Sequence, residues 1–293
     1  GRQLLFDSGN DAQRVMFRGR AMVALLGVML GVLVFLWANH LFGSAGALLA
    51  VTLYELSTTM RAHGSLATSD MPAAFGFVAA ITGIWLVLHR VTWWRLAACA
   101  LGVSLLLLSK MSGTMIFLLA PVLMVIRLCN PHPLQVTIGR RTTLRSRGGI
   151  LLAMCMCALA TVAISVLLIW ASFSFRYSMT ADALQPWVWS DDARGLWTDG
   201  IRQAQQARLL PNGYLYGLFI AQASVRVRPS FLMGQISATG WYTFTLFTVL
   251  FKTPIALMVL AALSLAGVVV RWMRIPGLQR HAAIRRSFYR AAP

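Results

Sequence analysis

The run Met71-Pro-Ala-Ala-Phe-Gly-Phe-Val-Ala-Ala-Ile-Thr-Gly-Ile-Trp-Leu-Val-Leu88 carries no charged residue and decides the fold of this chain. A helix needs about 20 mainly apolar residues to cross the hydrocarbon core of a bilayer. A polar break, Arg61-Ala-His-Gly-Ser-Leu-Ala-Thr-Ser-Asp70, separates this run from the apolar residues before it. The pattern predicts a membrane-spanning helix that begins beside the carboxylate of Asp70.

Composition extends this prediction to the whole chain. Its 293 residues are 58% hydrophobic and 12% charged, whereas soluble domains are about 45–50% apolar and about 25% charged. We predict an all-α integral membrane protein with about seven transmembrane helices, over residues 21–38, 41–56, 71–88, 92–108, 113–126, 150–172 and 243–270. Because the fourth and fifth runs are short, they could instead form a re-entrant hairpin.

The net charge of +18 comes mostly from arginines that flank the apolar runs. Arginines in such positions set topology and meet anionic headgroups, so they indicate membrane lipids, and not nucleic acid, as partners. Short cytoplasmic loops collect positive charge, so the arginine-rich segments 127–147 and 271–290 are predicted inside. Alternating spans then place Asp70, Lys110 and residues 173–242 outside.

We predict a single membrane domain over residues 1–293. Its outer stretch 173–242 is too long for an unstructured loop, so a small ordered cap is expected there. Alternating spans also place residues 1–19 outside, against the cytoplasmic preference of Arg14 and Arg18, and the chain has no start methionine. We therefore expect a fragment whose first span and first outer loop lie upstream.

Asp70, followed by Met71-Pro72, matches the N-cap of a helix with proline in its first turn. A carboxylate at the membrane rim could also bind a divalent metal or a substrate hydroxyl. His63 lies seven residues earlier, within reach of the same site, although a lone histidine also fits a plain interfacial role. Both interpretations remain open from the sequence.

Only two of the 26 cationic residues are lysines, and both lie in or beside apolar runs. Lys110 lies in the outer turn between two spans, and Lys252 precedes Thr253-Pro254 in the last span. Such lysines can extend their ammonium groups to the headgroups. Alternatively, Lys110 is a compact charge for a phosphate or pyrophosphate, and Lys252 lines a polar cavity beside a proline kink.

Further polar and aromatic residues have two interpretations each. Trp241 and Tyr242 fit an aromatic belt at the membrane interface, or they stack on a sugar ring at a cavity mouth. Glu55 is expected to pair with Arg61. Asp191 and Asp192 would suit metal or sugar hydroxyls, or they are ordinary surface residues.

Three segments resemble a family, the polytopic GT-C glycosyltransferases, and within it the dolichyl-phosphate-mannose protein mannosyltransferase and aminoarabinose transferase group. Ala62-His-Gly-Ser-Leu-Ala-Thr-Ser-Asp-Met-Pro72 is similar to the family's second outer loop, with its His-Gly and Thr-Thr-Asp pattern. Leu107-Leu-Ser-Lys-Met-Ser-Gly113 is similar to its Ser-Lys-Phe-Ser-Gly turn. Arg228-Pro-Ser-Phe-Leu-Met-Gly-Gln-Ile-Ser-Ala-Thr-Gly-Trp-Tyr242, with Phe251-Lys-Thr-Pro254, resembles a late outer segment and the helix after it.

The resemblance implies transfer of a sugar from a polyprenyl-phosphate donor to a protein, lipid or glycan. Asp70 would be the supporting acid, with a divalent metal ion as a possible cofactor, and Lys110 would contact the donor phosphate. The family's principal acid belongs to the first outer loop and would lie upstream. Gln235 replaces a glutamate common in relatives, and Glu55 replaces an uncharged residue. The rival functions are a lipid-linked-sugar transporter or flippase, and an inactive truncated membrane subunit.

Overall fold

The computed structural model describes residues 7, 9–139, 141–178, 196–226 and 229–274. The helices there are α1 Ala12–Leu56, α2 Thr58–Gly64, α3 Asp70–His89, α4 Trp93–Ser109, a 3₁₀ helix Met111–Met115, α5 Ile116–Cys129, α6 Arg147–Ser172, α7 Leu196–Gln206, α8 Asn212–Arg226, α9 Phe244–Lys252 and α10 Ile255–Arg274. The strands are β1 Arg90–Thr92, β2 Leu134–Thr137, β3 Thr142–Leu144, β4 Ser230–Leu232 and β5 Gln235–Ser237. The predicted helical class is therefore confirmed, but "all-α" omits five short strands.

Helix α1 reverses direction at Gly43. A straight helix would separate Gly27 from Tyr54 by about 40 Å, yet the Tyr54 hydroxyl donates to the Gly27 carbonyl at 2.7 Å. Gly43 has φ 75° and ψ −177°, a left-handed conformation that glycine adopts without a steric penalty. The first two predicted spans are thus two arms of one bent helix.

Helices α3 and α4 pack closely because glycines face the partner backbone. A Cβ atom on Gly83 would lie 2.4 Å from the Cα of Cys99, and one on Gly102 would lie 2.7 Å from the carbonyl carbon of Ala79. Small residues let helix backbones approach in this way within membranes. The contact fixes the relative position of the two helices that carry Asp70 and the turn with Lys110.

Helix α6 packs on the other side of α4. Ser104 donates to the hydroxyl of Ser165 at 3.0 Å, and both side chains are buried. Most of the main apolar core lies among α3, α4, α5 and α6. Both serines thus satisfy their hydroxyl groups in an apolar interior, where an unpaired hydroxyl would be costly.

A small sheet closes the end of the bundle opposite Asp70, and we call this end, with β1, β2 and β3, the sheet end. β1 pairs in parallel with β2, and β2 pairs antiparallel with β3. β1 directly follows α3, whose 20 residues span about 30 Å. The sheet end is therefore one helix length from the Asp70 end, defined by Asp70 and Lys110.

Four helical segments among the described residues are long and apolar enough to cross a membrane: α1, α3, α6 and the combined segment Met111–Cys129. Helices α9 and α10 would add a fifth span, but they meet at an angle of 108°. Pro254 lies at this bend, where it cannot donate a backbone hydrogen bond. The predicted span over 243–270 is thus broken. Helix α4 has only 17 residues, which is fewer than the usual length of about 20 for a membrane-spanning helix.

Parts of the sequence predictions lie outside the described residues. These parts are residues 179–195 of the predicted cap, which include Asp191 and Asp192, and the arginine-rich tail beyond residue 274. Within the cap, α7 and α8 pack through Ile201, Leu215 and Phe219. Helices α7 and α8 thus share a small apolar cluster, and the cap as a whole stays a prediction.

Candidate active site

Asp70 is in the first turn of α3, but its side chain does not cap the helix. The N-cap position is Ser69, and it forms no side-chain capping hydrogen bond. The Asp70 carboxylate instead accepts a hydrogen bond from Lys110 Nζ at 2.6 Å. A negative charge in this turn also interacts favourably with the helix dipole. The cap predicted from Asp70-Met71-Pro72 is therefore replaced by a contact 40 residues away in sequence.

Lys110 reaches Asp70 because of the turn that ends α4. Its backbone is extended, with φ −156° and ψ 138°, between α4 and the 3₁₀ helix. Gly113 packs so closely on the preceding helix that a Cβ there would lie 2.7 Å from the Leu106 carbonyl oxygen. This tight turn holds Lys110 at the Asp70 end, as the alternating spans predict.

His63 adds a third polar group to this site. Its Nδ1 lies 3.2 Å from the second Asp70 carboxylate oxygen, but this buried nitrogen has no hydrogen-bond partner. The Thr68 hydroxyl, two residues before Asp70, is also buried without a partner. Asp70, Lys110 and His63 form the ion cluster, and each side chain is 41–44% exposed. The ion cluster therefore combines one carboxylate with accessible cationic or neutral donors.

Helix α8 of the cap packs onto the turn that carries Lys110. The buried Tyr214 hydroxyl donates to the Leu107 carbonyl at 3.2 Å, and a Cβ on Gly217 would lie 2.8 Å from Met111 Cε. Burial raises the pKa of Tyr214 to about 12, so the phenol stays a neutral donor. In the sequence Tyr214 is one of several cap aromatics, and only the folded chain shows that it supports this turn.

A cavity of about 310 Å³ lies beside the ion cluster and was not predicted. It is lined by both arms of α1, α2 and the start of α3, including Tyr54, Glu55, Arg61 and Ser65. Its size is at the lower end of ordinary ligand pockets. Glu55 and Arg61 both face it, but they do not form the expected ion pair among the described contacts.

The other predicted site residues are not joined to the ion cluster by any hydrogen bond or ion pair of the described residues. Lys252 ends α9 at the 108° bend and is exposed. Tyr242 is fully exposed. Trp241, beside it, has a buried ring nitrogen without a hydrogen-bond partner. Their assignment to donor or substrate binding stays a prediction.

The ion cluster does not fit a divalent metal ion. Asp70 and His63 supply two donors, and no group of three metal-binding side chains occurs within the described ranges. Lys110 Nζ already contacts the carboxylate at 2.6 Å, where it would repel a second cation. The arrangement suits an anion, which could replace the carboxylate as the partner of Lys110.

Comparisons of the chain with protein-family models, with curated proteins and with solved structures found no match. The ion cluster itself therefore carries the functional argument. It defines an acid–base pair at one end of an apolar helical bundle, beside a mainly apolar cavity that Glu55 and Arg61 also line.

Proposed function

We propose that this chain belongs to a membrane glycosyltransferase of the GT-C type, which transfers a sugar from a polyprenyl-phosphate donor to an acceptor hydroxyl. The observation that carries the proposal is the contact between Lys110 and Asp70 at 2.6 Å, at one end of helices apolar enough to cross a membrane. In this account the chain has about seven spans, in a bacterial inner membrane. The ion cluster and the cap then face the periplasm.

Lys110 is assigned to the donor phosphate. When the bond between the anomeric carbon and the phosphate oxygen breaks, negative charge grows on the leaving polyprenyl phosphate. A fixed cation stabilises this charge in the transition state. Exposed ion pairs contribute only about 0–1 kcal/mol, so a phosphate can displace the Asp70 carboxylate from Lys110 at little cost.

Asp70 is then free to accept a hydrogen bond from the acceptor hydroxyl. The acceptor oxygen attacks the anomeric carbon, the carbon–phosphate oxygen bond breaks, and the hydroxyl proton passes to a general base. We assign a supporting role in this proton transfer to Asp70. His63, 3.2 Å from Asp70, orients this carboxylate and contacts the substrate.

Lys252, Trp241 and Tyr242 complete the proposal for substrate binding. Lys252 would bind the donor, and the two aromatic side chains would stack on the sugar. Aromatic rings present large apolar faces with a polar handle, as a sugar ring requires. The sugar and the acceptor class, whether protein, lipid or glycan, stay open.

A lipid-linked-sugar transporter or flippase is the second candidate, because two apolar helices are broken. The breaks lie at Gly43, in α1, and between α9 and α10, which meet at 108°. Broken helices at binding sites are common in transporters. An inactive membrane subunit is the third candidate, and sugar-transfer activity separates the enzyme from both.

Replacing Asp70 by asparagine in the full-length protein should slow transfer and strengthen phosphate binding. Loss of a hydrogen bond to a charged group costs about 1.5–3 kcal/mol, or about 10- to 100-fold in rate. Because Asp70 competes with phosphate for Lys110, Asp70→Asn should also bind polyprenyl phosphate more tightly. Steady-state transfer rates and product-inhibition constants measure the two effects.

The matched control is Asp199→Asn, which removes an exposed carboxylate from the first turn of α7. It should leave both quantities unchanged. Weaker phosphate binding by Asp70→Asn would contradict the competition for Lys110, and an unchanged transfer rate would contradict the supporting role of Asp70.

A further inference from the structure

The sheet end gathers cationic side chains in a part of the chain that has no acidic residue. No aspartate or glutamate occurs between Asp70 and Asp182. Among the described residues of this segment, six arginines lie in or beside the elements of the sheet end: Arg90, Arg95, Arg127, Arg141, Arg145 and Arg147. Three of them, Arg90, Arg95 and Arg127, adjoin the end of α3. Their positive charges therefore have no carboxylate partner within this stretch of sequence.

The described acidic residues elsewhere lie toward the opposite end of the bundle. Glu55 adjoins Tyr54, which contacts Gly27 and Met71 near Asp70. Asp11 precedes α1, and a Cβ on Gly19 of this helix would lie 3.5 Å from the Cβ of Ala67 in the polar break. Asp7 lies four residues earlier, and Asp199 is in α7, packed on the cap helix α8. The described carboxylates thus lie away from the sheet end.

Arg127 is the most buried of the three arginines, with 3% of its surface exposed. Its Nε donates to the Leu88 carbonyl at 2.7 Å, and one terminal nitrogen donates to the His132 carbonyl at 3.1 Å. The other terminal nitrogen, Nη1, is buried and has no hydrogen-bond partner. A buried guanidinium with an unused donor is costly unless an acceptor reaches it.

Arg90 and Arg95 lie at the same end of α3. Arg95 Nη1 donates to the Leu86 carbonyl at 3.0 Å, and Arg90 donates to the Thr137 hydroxyl of β2 at 3.4 Å. Arg90 Nε is buried without a partner. Together the three arginines form what we call the arginine cluster, and two of them each keep an unused buried donor.

Capping of helix ends explains only part of this arrangement. Arginine side chains often bond the last carbonyls of a helix, and a helix C-terminus carries about −0.5 charge. The ends of α3 and α5 therefore supply about −1 against the charges of Arg90, Arg95 and Arg127, and the N-termini of α4 and α6 at the same end offset it by about +1. This leaves a net positive charge, together with the donors Arg127 Nη1 and Arg90 Nε, which no helix carbonyl satisfies.

A phosphate group fits this excess of charge and donors. Guanidinium groups match phosphate oxygens in a planar, two-pronged geometry. Trp93 and Trp94, stacked at the start of α4 with centroids 3.5 Å apart, are 55% and 68% exposed. Exposed tryptophans at helix ends mark the headgroup level of a bilayer, where phosphate groups of anionic lipids are abundant.

We propose that the arginine cluster binds a phosphate group at the sheet end, supplied by an anionic phospholipid headgroup or by free phosphate. This site is separate from the ion cluster, about one helix length away along α3. It does not depend on the glycosyltransferase proposal, because it uses none of the same residues. Its effect is to neutralise buried positive charge and so to stabilise the ends of α3 and α5.

The test is thermal unfolding of the purified full-length protein in detergent micelles. One arm adds phosphatidylglycerol, a second adds phosphatidylcholine, and a third adds inorganic phosphate at matched ionic strength. A ligand that saturates the folded state raises its stability, and we expect phosphatidylglycerol to raise the unfolding midpoint by about 5 °C. Phosphatidylcholine, whose headgroup has no net charge, should raise it much less.

Arg90→Gln should remove most of this rise, while Arg61→Gln, which deletes an exposed arginine near the Asp70 end, should keep it. Arg95→Gln serves as the second cluster variant if Arg90→Gln gives no cooperative transition. A rise with inorganic phosphate alone, lost in the cluster variant, supports the site with free phosphate as its source. Equal midpoints for the two lipids without any rise in inorganic phosphate, or equal shifts in cluster and control variants, would overturn the proposal.

Discussion

Lys110→Ala should lower the rate of sugar transfer by about 10²- to 10³-fold, the usual cost of removing one group that stabilises transition-state charge. Among the described cations, only Lys110 donates a hydrogen bond to Asp70. Without Lys110, the departing phosphate has no fixed positive charge beside it. Both side chains are partly exposed, so the fold should lose about 1 kcal/mol or less. The measurement is the initial transfer rate per mole of folded full-length protein.

Lys252→Ala is the matched control for this prediction. Lys252 is the other lysine of the chain, is exposed at the end of α9, and forms no ion pair among the described contacts. We expect a much smaller loss of rate. Lys110→Arg, which keeps the charge, should recover part of the activity. Equal rates for Lys110→Ala and the unchanged protein would eliminate the phosphate role of Lys110.

Gly102→Leu should greatly reduce the amount of folded protein, because there is no space for a side chain at this position. Even its Cβ atom would lie 2.7 Å from the Ala79 backbone, so α3 and α4 must separate. Overpacking of this kind costs about 1–3 kcal/mol and occasionally more. Since α3 carries Asp70 and α4 leads into Lys110, separation also breaks the ion cluster. Thermal midpoint and monodisperse yield from membranes measure the loss.

Gly267→Leu provides the control for Gly102→Leu. Gly267 lies within the apolar helix α10, and no heavy atom would come within 4 Å of its Cβ. Leucine should therefore be tolerated, with a change within about 0.5 kcal/mol of the original stability. A midpoint for Gly102→Leu equal to that of Gly267→Leu would show that α3 and α4 do not pack as described.

The helical class and several helix positions follow from the sequence because apolar length alone specifies them. The predicted span over residues 71–88 matches α3 within one residue at each end, because the polar residues Asp70 and His89 bound the apolar run. The boundary between the first two predicted spans, over residues 21–38 and 41–56, lies close to the bend at Gly43. The exact residue could not be predicted, because Gly43 differs from other glycines only in its folded conformation. The strands β1 and β2 were missed because their pairing joins segments more than 40 residues apart.

The candidate site was predictable in its members but not in its contacts. Alternating spans place Asp70 and Lys110 on one face, yet the N-cap pattern at Asp70-Met71-Pro72 left a local role for the carboxylate equally open. The tertiary contact with Lys110 replaces that role. From the sequence, the arginines of the arginine cluster predicted only the orientation of the spans. Their phosphate-binding potential was missed, because unsatisfied donors such as Arg127 Nη1 become visible only in the folded chain.

The proposed function requires that this protein break the bond between a sugar and a polyprenyl phosphate. The most direct measurement uses a donor labelled with ³H in the sugar and ³²P in the phosphate, incubated with the full-length protein and acceptor-containing membranes. The account predicts that the two labels separate, with ³²P recovered as polyprenyl monophosphate and ³H on the acceptor. Recovery of both labels on one intact lipid, even after it crosses the membrane, would contradict the account and favour a flippase.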